Sequence, residues 1–301
     1  MKSTLIVIAG PTAVGKTKLS IDLGKYLGVP IISADSRQFY KELNIGTAKP
    51  NNKELEEIKH YFIDNKSINE LYSAGEFESD VINLLENHFK HKSIALMTGG
   101  SGMYINAVCN GLDDLPKDIK IREELNQKFK TKGILSLQEQ LQKIDPVQFE
   151  KIDINNPQRI IRALEVCLIT KKPYSSFLNK NKKKRPFQIV KFLLHQSKET
   201  LDYKINKRVD EMVKMGLFEE VKSLMNIKHL NALNTVGYKE IFHYYEQGLN
   251  KLETIEQIKS NTRKYAKRQM TWFKKDKSYI WIENSKENEA LEKIKTKIST
   301  L

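Results

Sequence analysis

The 301-residue sequence carries 51 Lys plus Arg against 37 Asp plus Glu, a formal net charge of +14 at pH 7. That length can bury a substantial core and divide into more than one domain, and the basic balance points to a polyanionic partner, nucleic acid before membrane. No apolar run approaches the roughly 20 residues of a membrane span, the N-terminal apolar stretch lacks a cleavage site, and Cys109 and Cys167 form no C-x-x-C, so a cytoplasmic protein with two reduced thiols is expected.

Leu5-Ile6-Val7-Ile8-Ala9 is continuous and β-branched, as in a strand buried on both faces of a parallel sheet. Gly10-Pro11-Thr12-Ala13-Val14-Gly15-Lys16-Thr17 follows and fits G-x-x-x-x-G-K-[ST], the phosphate-cradling P-loop. Lys18 to Leu27, with Leu19, Leu23 and Leu27 four apart, then predicts an amphipathic helix. Strand, glycine loop and helix thus stand in the order the motif requires. Backbone N–H groups at the helix start would face a polyphosphate. Lys16 would neutralise its charge, as an exposed side chain in the free protein, and the Thr17 hydroxyl would hold a magnesium ion (Mg2+).

Val29 to Ser33 reads as a second strand, and Ala34-Asp35-Ser36-Arg37-Gln38 places a polar cluster at the carboxyl edge of the sheet, where α/β folds bind ligands. A helix N-cap is the plain alternative for Asp35. Ile45 to Pro50 is a loop, and His60 to Asp64 a possible strand. Tyr72 to Phe77 leads into a helix carrying Val81, Leu84, Leu85 and Phe89. Ser93 to Thr98 is a third buried strand, running into Gly99-Gly100-Ser101-Gly102, whose glycines let backbone approach a ligand. Alternating strands and helices predict a parallel α/β sheet flanked by helices.

From about Lys117 the pattern turns helical. Ile121, Leu125 and Phe129 repeat every four residues; Ser136 and Glu139 read as a capping box; Asn156-Pro157 reads as N-cap and N1 of a further helix with Ile161, Leu164 and Leu168 inward. Gln158 and Arg162 share a face there, flanked by Arg159. Lys180 to Pro186 reads as the return linker of a helical insertion. The domains expected are therefore a core of residues 1–116 and 188–301 and an all-helical insertion of 117–187. Ile189 to His195 resumes strand character. Leu201 to Met215 is a helix ending at Gly216, Thr235 to Glu240 a polar loop, and Leu252 to Lys275 a long helix. On the last, Lys259, Arg263 and Lys267 form one row among Tyr265, Trp272 and Phe273, a mixture suited to RNA, although core packing under a charged face explains it too.

The ordered set GPTAVGKT, ADSRQ, GTAKP, YSAGEF, GGSGMY, NPQRIIRALEV, RVDEMVKMGL, VGYKE and RKYAKRQMTWF resembles the tRNA dimethylallyltransferase (tRNA isopentenyltransferase) family from about Leu5 to Phe273. Val14 stands where that family usually has Ser, Ser101 for Thr, Met103 for Leu, and Tyr61 for the second His of a pair. The resemblance implies a P-loop NTPase-like fold and transfer of a dimethylallyl group from dimethylallyl diphosphate to N6 of adenosine 37 in tRNAs reading codons that start with U. The nucleotide-type P-loop would then hold the donor diphosphate without ATP hydrolysis. It implies Asp35 as the base for N6, with Ser101 and Arg208 completing the catalytic set. It also implies contacts to the tRNA anticodon loop from Asp35, Ser36, Arg37, Gln38 and Ser101, and from Gln158, Arg159, Ile160, Ile161 and Arg162. A monomer with no membrane partner is the default expectation. A small-molecule P-loop kinase, an adenylate isopentenyltransferase and a non-enzymatic RNA-binding protein are the competing readings.

Overall fold

The computed structural model describes residues 3–113, 115–178 and 183–300. Lys180 to Lys182 of the expected basic linker lie outside them. The chain forms two compact units, residues 1–110 with 185–301, and residues 111–184.

The first unit begins β1 (Thr4–Ala9), α1 (Lys16–Leu27), β2 (Ile31–Ser33), α2 (Asn52–Glu57), β3 (His60–Tyr61), α3 (Ala74–His88), β4 (Ile94–Gly99) and α4 (Gly102–Asn110). The second unit holds α5 (Ile119–Ile144), α6 (Pro146–Lys151) and α7 (Pro157–Thr170). The first then resumes with β5 (Gln188–His195), α8 (Lys198–Lys214), α9 (Leu217–Ser223), α10 (Tyr238–Gln247), α11 (Lys251–Phe273), β6 (Tyr279–Glu283) and α12 (Glu287–Ser299).

All six strands are parallel, in the order β3-β2-β4-β1-β5-β6. β1 lies between β4 and β5 with every residue buried, which is why its sequence is unbroken by polar positions. Ile6 and Ile8 pack with Leu19 and Leu23 of α1 and Ala290, Ile294 and Ile298 of α12. A second cluster joins Val209, Leu217, Phe218, Ile241 and Ile258 to Tyr40 and Leu43. Parallel strands send their carboxyl ends to one edge, so the loops after β1, β2, β4, β5 and β6 gather there.

Several local expectations need correction. Strand β6 and helix α12 extend the sheet beyond the last recognised motif. Thr235 to Glu240 is not simply a polar loop: α10 starts at Tyr238, whose side chain is fully buried with its hydroxyl donating to Glu220 Oε1 at 2.6 Å. Ser136 opens no helix. The break in α5 lies at Gly133, where φ 73° and ψ −179° suit only glycine, and Ser136 Oγ donates back to the Gly133 carbonyl at 2.9 Å. By contrast, Asn156 caps α7 as expected, accepting from Arg159 N–H at 3.2 Å with Pro157 next.

The helical unit has its own core of Leu125, Leu137, Leu141, Ile160, Ile161 and Leu164. Ile160 and Ile161 are 0% and 2% exposed, so their side chains face this core. Glu165 is also fully buried, facing Arg122 at 2.6 Å and Arg162 at 2.8 Å and accepting Asp118 N–H. Burial acts to raise its pKa, but the hydrogen bonds from Arg122, Arg162 and Asp118 prevail and hold it below the ordinary carboxylate value. The stabilisation is therefore present at neutral pH and lost as pH falls through the folded value.

Candidate active site

Four loops build the site at the carboxyl edge. After β1 the P-loop turns through Ala13 at φ 63° and Gly15 at φ 97°, then enters α1. Positive φ costs an alanine strain but a glycine little, which accounts for the motif's second Gly. No side chain caps α1, so its first N–H groups remain available to an anion.

Lys16 is half-buried rather than exposed, with Nζ donating to the Gly10 and Pro11 carbonyls at 3.0 and 2.7 Å. Burial, then the Arg208 charge, hold its pKa down at about 7, while Asp35 works in the opposite direction. Arg208 reaches the P-loop from α8, its Nη1 3.4 Å from Thr12 Oγ1. Two cations therefore face the phosphate loop from different elements.

After β2, Asp35 Oδ1 accepts Arg37 N–H at 2.9 Å and Gln38 N–H at 3.4 Å. This is the capping contact expected of the plain alternative, made to a turn rather than a helix. Asp35 Oδ2 accepts nothing from the described residues. After β4, Ser101 Oγ accepts Ser36 N–H at 2.9 Å, locking this loop onto the Asp35 turn. Ser101 thus meets the acidic side of the site. The phenols of Tyr104 and Tyr265 are each pushed up to about 12, chiefly by burial, with the Asp35 charge contributing.

Gln38 has little left to offer a ligand. Its Oε1 accepts from Ser33 Oγ, and its Nε2 donates to the Thr47 and Ala48 carbonyls, both at 3.2 Å. Its side chain anchors the GTAKP loop. Arg37 donates to the Ser36 carbonyl at 3.0 Å and keeps a buried Nε without a partner.

Two carboxamides not singled out from sequence hold the phosphate loop. Gln269 of α11 accepts Thr12 N–H and donates to the Gly100 carbonyl, both at 2.9 Å, tying the P-loop to the glycine loop. Asn284, after β6, donates to the Val14 carbonyl at 2.7 Å. Gln269 lies within the recognised RKYAKRQMTWF motif; Asn284 has no local signal because its partner is 270 residues earlier.

The expected basic row on α11 is divided. Lys259 pairs with Asp210 and Glu256, and Arg263 donates to Asn206 at 2.5 Å, so these two bind α11 to its neighbours. Lys264, Lys267 and Arg268 stay exposed, Trp272 is 43% exposed, and Phe273 is core. In the helical unit, Gln158 and Arg159 are exposed, whereas Arg162 is engaged by Glu165 and the Leu115 and Pro116 carbonyls. Tyr61, the unexplained departure from the family pattern, lies under the Lys59 ammonium and lines an apolar recess with Ile32 and Leu84. Cys109 and Cys167 are buried free thiols.

A magnesium ion suits this donor set only as a companion of a phosphate ligand. Thr17 Oγ makes no hydrogen bond to the described residues, yet among them no group of three or more His, Cys, Asp or Glu side chains gathers to hold a metal. Mg2+ commonly takes few protein ligands and completes its octahedron with waters and phosphate oxygens.

Parallel sheet, phosphate-loop motif and adjoining carboxylate at one sheet edge define a P-loop-like α/β protein. The chain belongs to the IPP transferase family, whose model matches residues 38–276. It is similar to the tRNA dimethylallyltransferase of Christiangramia forsetii, 48% identical over 303 residues and covering 100% of both chains. Among solved structures it resembles the full-length tRNA isopentenylpyrophosphate transferase of Bacillus halodurans, with TM-score 0.73, 35% identity, and coverage of 99% of this chain and 96% of that one. It also resembles a eukaryotic dimethylallyltransferase acting on tRNA, with TM-score 0.76, 27% identity, and coverage of 93% and 74%.

Proposed function

We propose that the protein transfers the dimethylallyl group of dimethylallyl diphosphate to N6 of adenosine 37, beside the anticodon, in tRNAs that read codons beginning with U. The observation that carries this reading is the meeting of a carboxylate, Asp35, with a phosphate loop and two cations, Lys16 and Arg208, at one sheet edge. The N–H groups of Gly15, Lys16 and Thr17 would cradle the donor diphosphate. As the allylic C–O bond breaks, charge grows on the diphosphate, and the preorganised donors are worth most at that moment. A magnesium ion held by Thr17 and the diphosphate would add further charge stabilisation. The adenine N6 forms the new C–N bond and gives its proton to Asp35, while diphosphate departs. N6 shares its lone pair with the ring, so a carboxylate that orients it and takes the proton answers its weak nucleophilicity. The base must leave its stack to reach this site.

A kinase reading is less well supported. β4, beside the P-loop strand, ends in Met97-Thr98-Gly99, without the acid that holds a nucleotide's magnesium in P-loop NTPases. The test is mass analysis of nucleosides from tRNA incubated with the protein and dimethylallyl diphosphate. N6-(dimethylallyl)adenosine is expected; ATP consumption without prenylation would restore the kinase reading.

Arg159 and Arg162, neighbours in sequence, are expected to separate in mutagenesis. Arg159→Ala should leave the unfolding temperature unchanged, raise the KM for tRNA and reduce its salt slope by about one, the signature of a lost phosphate contact. Arg162→Ala should instead destabilise the helical unit by about 1–3 kcal/mol, because buried Glu165 loses one of its two cations. Equal effects of both on stability would remove the RNA assignment of Arg159.

A further inference from the structure

Asn284 sits immediately after β6, carried to the carboxyl edge by pairing of Leu194 with Ile282 and His195 with Glu283. It is 1% exposed. Its backbone N–H donates to the His195 carbonyl at 2.9 Å, and its own carbonyl accepts Gln196 Nε2. The side chain reaches away from the strand to the phosphate loop, where Nδ2 donates to the Val14 carbonyl at 2.7 Å. A Cβ built on Gly15 would lie 2.6 Å from that nitrogen, so the carboxamide and the loop are in direct apposition.

The contact fixes a particular peptide. In a planar trans peptide the carbonyl and the following N–H point in opposite directions. Holding the Val14 carbonyl on Asn284 therefore turns the Gly15 N–H away from β6. Gly15 has φ 97° and offers no Cβ to restrain this peptide, so the Asn284 bond adds a restraint that the residue itself lacks. Thr12 N–H is already taken by Gln269, which makes the orientation of the remaining loop donors more consequential.

Asn284 is also a poor choice for packing alone. Its Oδ1 is buried and has no hydrogen-bond partner among the described residues. An unmatched buried oxygen costs free energy that an apolar side chain of the same size would avoid. What the carboxamide supplies in return is one directed bond to the loop.

We propose that Asn284 is a positioning residue for the donor diphosphate, holding the Val14–Gly15 peptide so that the Gly15 N–H points into the phosphate cradle. This rests on the reading of the P-loop as the diphosphate site. Asn284→Leu keeps the size and loses the donor, and Asn284→Ala loses both. Ile282→Ala, a core change on the same strand, loosens β6 while leaving the Asn284 donor in place.

The measurements are the dissociation constant of inorganic diphosphate and the separate KM values for dimethylallyl diphosphate and tRNA. Both position-284 variants are expected to weaken diphosphate binding about tenfold, the scale of one hydrogen bond to a charged group, and to raise the donor KM in parallel. The tRNA KM should not move. Ile282→Ala should lower the unfolding temperature and leave diphosphate affinity unchanged. Wild-type diphosphate affinity in either folded variant overturns the proposal, as does an equal loss in Ile282→Ala. Failure of both variants to fold overturns it too, since Asn284 then serves the fold itself. Wild-type protein that binds diphosphate yet leaves tRNA unmodified counts against the prenyl-transfer function and not against this role.

Discussion

Asp35→Asn is expected to slow single-turnover prenyl transfer by roughly 10²–10⁴-fold, the usual scale for loss of a general base. The substitution is informative because Asp35 has two jobs on one carboxylate. Oδ1 accepts the Arg37 and Gln38 N–H groups and shapes the turn. An asparagine oxygen makes the same contacts, since Asn caps about as well as Asp. What it lacks is the charge and the capacity to take a proton from N6. The variant should therefore unfold near the wild-type temperature and retain tRNA binding, which depends on phosphate contacts elsewhere. Full-speed transfer would reduce Asp35 to a turn-forming residue and remove the proposed mechanism.

Lys16→Ala should lower the transfer rate by roughly 10²–10³-fold, comparable to loss of one preorganised donor to a developing negative charge. It should also weaken diphosphate binding. The pH dependence identifies the cause. In the free protein Lys16 titrates near pH 7. A diphosphate favours the protonated amine, so affinity should be greatest below about pH 7 and fall as pH rises, each binding event then taking up a proton. Lys16→Ala should abolish that slope. The stability sign runs the other way: between about 7 and the ordinary lysine value of 10.5 the unfolded chain binds more protons, so this group makes the folded protein more stable as pH rises. The lost Gly10 and Pro11 contacts and the relieved burial of a charge oppose one another, which keeps the expected change in unfolding temperature small. A diphosphate affinity that ignores pH in the wild type, or one unchanged in the variant, would sink the assignment.

The parts legible in the sequence are those written by local physics. The unbroken β-branched run of β1 follows from burial on both faces, the P-loop from its glycines, and the α7 start from Asn156-Pro157. Alternating strands and helices disclosed the parallel sheet, and the motif order disclosed the family. Asp35 was locatable because a polar cluster directly after a parallel strand stands at the ligand-binding edge. Its dual character was not, because the same residue type serves a turn and a reaction equally well.

Tertiary structure decided which polar groups remain available. Gln38, Arg162, Lys259 and Arg263 look alike in sequence to residues that grip RNA, yet each is engaged by a partner that packing brings near: the GTAKP loop, Glu165, Asp210 with Glu256, and Asn206. Ile160 and Ile161, which the resemblance places among the tRNA contacts, bury their side chains in the helical core. Gln269 and Asn284 hold the phosphate loop across 257 and 270 residues of chain. A helix period or a glycine loop is fixed by residues a few positions apart, so sequence alone determined the sheet, the phosphate loop and the family. A hydrogen bond between chain-distant carboxamides and loop peptides exists only once the sheet has brought its strand ends together, so the fold alone decided how that loop is held.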